Sequence, residues 1–163
     1  MDFIHNIAHS RLVELTIDFD EVLASFFTES DWYTLGRTEL TPLTPRDSRL
    51  LEQRIAEGVD DLHTRLAAYL AFVNVNPNSD DANIYLAFEL PSRFPSWLPA
   101  ALRAAIVGTL ASYVLMRSYE PAGSIAAEAG GGLYGTAWRR YRARTMLLLA
   151  RAELSMTQPS RTS

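Results

Sequence analysis

The feature that most constrains this chain of 163 residues is one apolar stripe in "TPRDSRLLEQRIAEGVDDLHTRLAAYLAFV", residues 44–73. Leu51, Ile55, Val59, Leu62, Leu66, Leu70 and Val73 recur at spacings of 4, 4, 3, 4, 4 and 3, the period of one face of an α-helix. Thr44 can cap that helix, Pro45 suits its first position, and Asp47 closes the capping pattern. Glu52, Glu57, Asp60, Asp61 and Arg65 fall mostly off the stripe. The rest of the chain must therefore cover an amphipathic helix of about eight turns.

The other segments supply that cover. RLVELTI (11–17) alternates as a short strand does, with a helical start as the alternative. DFDEVLASFF (18–27) reads as a helix capped by Asp18, with Phe19, Val22, Leu23 and Phe26 on one face. ESDWYTLGRTELTPLTP (29–45) reads as a long connection held by Trp32 and Tyr33. NVNPNSDDAN (74–83) is a polar loop, and IYLAFELP (84–91) a strand ended by proline, able to form a hairpin with Phe72–Asn76. FPSWLPAALRAAIVGTLASYVLMRSYEP (94–121) predicts a helix, with Ser96 as its cap and Pro99 in its first turn. It is apolar on most faces, so it belongs in the middle of a bundle, and Gly108 lets a neighbour come close. A last helix spans about Ala137 to Leu154, with Trp138, Tyr141, Thr145, Leu148, Leu149 and Ala152 inward and Arg140, Arg144 and Arg151 outward.

The fold class that follows is mainly α: a helical bundle of about four helices with a minor β-hairpin or strand element. It forms a single helical domain over 1–155, with a flexible tail at 156–163. Its expected core contains Phe26, Leu51, Ile55, Leu62, Leu66, Leu102, Ile106, Tyr113, Trp138, Tyr141 and Leu148.

Composition narrows the chemistry. There is no cysteine, which excludes disulfides, thiolate metal sites and cysteine nucleophiles. Gly130 and Gly135 have the spacing of a phosphate-binding loop, with Thr136 after them, but every basic residue is arginine and that loop needs a lysine. A helix–helix joint is the reading there. His5 and His9 lie four apart, and Asp60, Asp61 and His63 cluster in sequence, yet neither set reaches the three or four ligands of a metal site with its supporting shell. Asp80 and Asp81 lack the glycine and terminal glutamate of a calcium loop, and no serine sits in a nucleophile elbow. We therefore expect no catalytic residue, no metal, no cofactor and no small-molecule ligand. The opening MDFIHNIAHS has an early acid and no lysine or arginine before Arg11, unlike a secretory signal. The longest apolar run, Ala104 to Met116, has 13 residues, short of the ~20 of a membrane span.

Charge points to association. The net charge of −4 conceals a balance of −9 over residues 1–100 and +5 over 101–163. In YGTAWRRYRARTMLLLARAEL (134–154), Arg139, Arg140, Arg142, Arg144 and Arg151 carry the positive end. One reading is a nucleic-acid-binding helix, although the whole chain is acidic and good binders usually carry a basic patch on a basic domain. The preferred reading is a core helix whose arginines meet carboxylates on residues 44–73 or on another copy. Glu57, Asp60, Asp61, Arg139, Arg140, Arg144 and Arg151 are its candidate partner-binding residues, and a solvated basic face without a partner is the bland alternative.

The order of segments resembles the small α-helical head–tail connector, or adaptor, proteins of tailed bacteriophages and prophages. TPRDSRLLEQRIAEGVDDLHTRLAAYL is similar to their opening capped helix, and WLPAALRAAIVGTLASYVLMRSYEP to their second long helix. The resemblance covers residues 44–154 and leaves the first 43 outside it. It implies a structural subunit without catalysis, a homo-oligomeric ring of about a dozen copies, and phage structural partners such as the portal. It also implies a place in the bacterial cytoplasm during assembly and in the virion afterwards.

Overall fold

The computed structural model of the chain describes residues 10–34, 44–76, 82–91, 96–118, 137, 139–148 and 150. His5, His9, the glycine stretch, Arg151, Ala152 and the tail lie outside them, as do the side chains of Trp32, Tyr33, Trp138 and Leu149.

β1 (Ser10–Asp18) has the predicted alternation: Val13, Leu15 and Ile17 are buried, while Leu12, Glu14, Thr16 and Asp18 are exposed. It passes without a loop into α1 (Phe19–Thr34). The Phe19 N–H, an orphan donor at a helix start, bonds the Ala82 carbonyl at 2.9 Å. The strand ladder thus does the work of a capping side chain. Phe19, Val22, Phe26 and Ser30 form the buried line of α1. The helix runs on through Glu29–Thr34, a segment expected to be connection. No glycine or proline precedes Gly36, so nothing local stops it earlier.

The capping box at Thr44 is present, built on a 3-10 turn (Pro45–Asp47) that leads into α2 (Ser48–Arg65). Arg46 N–H donates to Thr44 Oγ1 at 3.3 Å, and Thr44 N–H to the Asp47 carboxylate at 2.9 Å. Leu51, Ile55, Val59 and Leu62 are buried as the stripe requires. The helix then ends at Arg65, not Val73. Leu66 stays buried in the closing turn, and the chain turns into β2 (Leu70–Asn76), followed by β3 (Asn83–Pro91).

This overturns the expected fold class. The three strands form one antiparallel sheet in the order β1–β3–β2, so the architecture is mixed α/β and not a helical bundle with a minor hairpin. The expected hairpin is there, but β3 is a central strand, paired with β1 over nine positions from Ser10↔Pro91 to Asp18↔Asn83. The physical reason lies in a coincidence of periods. Leu66, Leu70 and Val73 fit a helix, yet Leu70, Val73 and Val75 also fit one face of a strand once a bulge at Ala71–Phe72 takes up the extra residue. A run rich in aromatic and β-branched residues beside a strand with hydrogen bonds to satisfy on both edges settles as strand.

Among the described residues, the helices cover the sheet face that carries Val13, Leu15, Ile17, Ile84, Leu86 and Phe88. α3 (Leu98–Ser118) packs against α1, α2 and β1. It is long and apolar enough to cross a bilayer, with a mean hydropathy of 1.5 in its best window, and half of that window is buried within the fold. Leu102, Ile106, Leu110 and Val114 meet the sheet and helices, so α3 serves here as the core helix. Arg103 covers an edge. It donates to the Thr16 carbonyl at 2.6 Å and holds Glu21 through both carboxylate oxygens at 2.8 Å.

Gly58 sets the spacing of α2 on α3, since a Cβ there would stand 2.9 Å from the ring of Tyr113 and 3.2 Å from Leu110. Gly58→Ala gains ~1 kcal/mol of helix propensity, but the overpacking it forces costs about 1–3 kcal/mol. Denaturant unfolding is expected to show a net loss; a gain in stability would mean that the ring moves aside freely.

Candidate functional site

The chain is helical again at residue 137, over 139–148 and at 150 (α4). Ala137, Tyr141, Thr145 and Leu148 are buried at helical spacing, and the inward stripe was legible in the sequence to that extent. Polar clamps hold the helix on either side of this stripe. On one side, Arg144 Nη1 reaches the Gly108 carbonyl at 2.7 Å, Ser112 Oγ at 2.8 Å and Glu29 Oε1 at 2.7 Å. Arg140 Nη2 shares the same Glu29 oxygen at 3.3 Å. One carboxylate from α1 thus holds two guanidiniums from α4. Gly108 is the predicted point of close approach: a Cβ there would meet the Arg144 guanidinium at 3.3 Å.

On the other side, the Tyr141 hydroxyl donates to Asp61 of α2, which also pairs with Arg65 at 3.0 Å. The Tyr141 ring packs edge-on against Tyr113 at 5.3 Å. Burial, and then the bond to Asp61, push the Tyr141 phenol well above its ordinary value. A phenol whose proton is held in the folded state favours folding while it stays protonated. The unfolded phenol loses its proton near pH ~10, so stability should fall as pH rises above that point. Tyr141→Phe is expected to flatten this alkaline loss in unfolding curves taken between pH 9 and 12; an unchanged slope would exclude Tyr141 as its source.

The remaining candidate residues are dispersed. Glu57 pairs with Arg117 at 3.5 Å. Asp60 is exposed, and its carbonyl accepts the Thr64 hydroxyl at 3.1 Å. Arg139 is exposed on α4, and Arg151 lies outside the described residues. Asp61, Arg140 and Arg144 therefore serve first as internal fasteners of α4. Glu29 and Ser112, which complete the fastening, carry no sequence signal because α1 and α3 meet α4 only in three dimensions. His63 is exposed on α2, and no three His, Asp or Glu side chains gather as metal ligands among the described residues.

Two surfaces stand out instead. The first is the outer side of α4. Ala143, Met146, Leu147 and Ala150 follow the i, i+3, i+4, i+7 rule and are exposed, Met146 and Leu147 each by 62%. This is a second apolar stripe, roughly opposite the buried one at 100° per residue. Beside it a groove of about 280 Å³ runs between α3 and α4, lined by Ala104, Ala105, Gly108, Thr109, Arg144, Leu147 and Leu148. The second surface is the sheet face turned away from the helices, where Leu12 and Phe72 are each 55% exposed. The Phe72 ring leans on Tyr85 at 5.8 Å, and the Tyr85 hydroxyl donates to Glu14 at 2.6 Å. Glu14, Asp18 and Glu89 are exposed there, and among the described residues with exposed side chains on this face none is basic.

No family model, curated protein or solved structure matches this chain. Its functional reading rests on these surfaces.

Proposed function

We propose that the chain is a non-catalytic assembly subunit that docks other protein chains. The observation that carries this reading is the two-sided apolarity of α4. A surface helix needs one apolar stripe to hold it to its own fold, and α4 has that stripe buried and a second one exposed. Isolated exposed apolar side chains are ordinary, whereas a contiguous patch rimmed by charge is the mark of an interaction site. The open sheet face exposes Leu12 and Phe72 among carboxylates.

The narrower form of the proposal is a head–tail connector of a tailed phage or prophage. It draws on the sequence order of capped helix, strand, proline-led aliphatic helix and arginine-bearing last helix, and α2, β3, α3 and α4 follow in that order. The docking reading does not depend on it. A photo-activated cross-linker placed at position 147, in cells making the protein, is expected to form adducts with protein. Adducts with nucleic acid or lipid alone, or none at all, would reject the assembly reading.

A further inference from the structure

The two exposed surfaces are complementary to each other. Along α4, Arg139 and Arg140 stand one turn before the outer apolar stripe, and residues 139–148 contain four arginines and no acid. The open sheet face pairs its apolar groups with Glu14, Asp18 and Glu89. Shape agrees with charge. Phe72 projects from the sheet, and the groove between α3 and α4 is larger than the ~150 Å³ cavity that suffices for a benzene ring.

These surfaces cannot meet within one chain, because α3 stands between them. Its Arg103 touches β1, while Gly108 and Ser112, about 140° and 180° further round the same helix, hold α4. We infer that they meet between copies: the open sheet face of one chain docks on α4 of the next, with Phe72 seated in the groove beside Leu147 and the sheet carboxylates facing the α4 arginines. Such a contact uses two different patches of each chain, so it is heterologous and leaves both ends of a pair free to continue. This inference rests on the docking reading above and names the occupant of each surface.

Two variants test it. Phe72→Asp spoils the sheet face and Leu147→Asp spoils the groove, and because both side chains are exposed, circular dichroism should show each variant folded. By light scattering, the wild-type chain is expected to grow in mass with concentration and to shrink as salt rises, since screening weakens the charged rims. Each variant alone should be monomeric. An equimolar mixture should give a 1:1 dimer that grows no further, because each chain contributes its one intact face. A mixture that stays monomeric, a variant that assembles like the wild type, or a wild-type chain monomeric at all concentrations overturns the inference. In the last case, cross-links from position 147 to a different protein would leave the docking reading standing, and their absence would remove both.

Discussion

Phe88→Ala is expected to lower the free energy of unfolding by about 3–5 kcal/mol, while Phe72→Ala, one strand away, should cost less than about 1 kcal/mol in the monomer. The two phenylalanines differ in which side of the sheet they face. Phe88 is fully buried on the central strand, opposite Val13 on β1 and Leu70 on β2, beneath the helical layer. Its removal leaves a void that the central strand, paired on both edges, can close only partly. Phe72 points the other way and loses little beyond its contact with Tyr85. Urea unfolding with an unchanged m-value would measure both. Equal losses at the two positions would mean that the open face is covered in solution, and with it the proposed docking surface.

Glu29→Ala should be the most damaging single change among the charged residues, at about 2–3 kcal/mol. Removing one partner of a buried ion pair costs roughly 3–5 kcal/mol because the other charge is left stranded. The lower figure applies here because the guanidiniums of Arg140 and Arg144 are 44% and 28% exposed and can recover some hydration. Arg144 would also keep its bonds to Gly108 and Ser112. The effect should be local. Amide hydrogen exchange is expected to accelerate in α4 well before it does in β3. Uniform acceleration, or none, would show that Glu29 is not what fastens the last helix.

Much of the core was legible in the linear pattern, and so were the three strands, but the pairing of β1 with β3 was not. Core positions on all four helices could be read from spacing because helical periodicity is local: each contact partner sits three or four residues away. Phe26, Leu51, Ile55, Leu62, Leu102, Ile106, Tyr141 and Leu148 are buried as that spacing requires. β1 and β3 pair across some 70 residues, and nothing in RLVELTI names IYLAFELP as its partner. The exposed α4 stripe was also present in the spacing of Ala143, Met146, Leu147 and Ala150. Arg142, Arg144 and Arg151 adjoin its residues in sequence, so composition alone marks the segment as charged.

Periodicity and capping, then, were properties of the chain itself, since they depend on neighbours a turn apart: the capping box before α2, the inward stripes of α2 and α4, and the shortage of motifs for chemistry. Tertiary structure decided what long-range pairing alone can decide. It ended α2 at Arg65 by giving the next residues a strand to bond, and it turned Asp61, Arg140 and Arg144 into internal fasteners by bringing Tyr141, Glu29 and Ser112 beside them. It also left one sheet face and one helix face without cover, and a side chain's exposure follows from what the rest of the fold places over it.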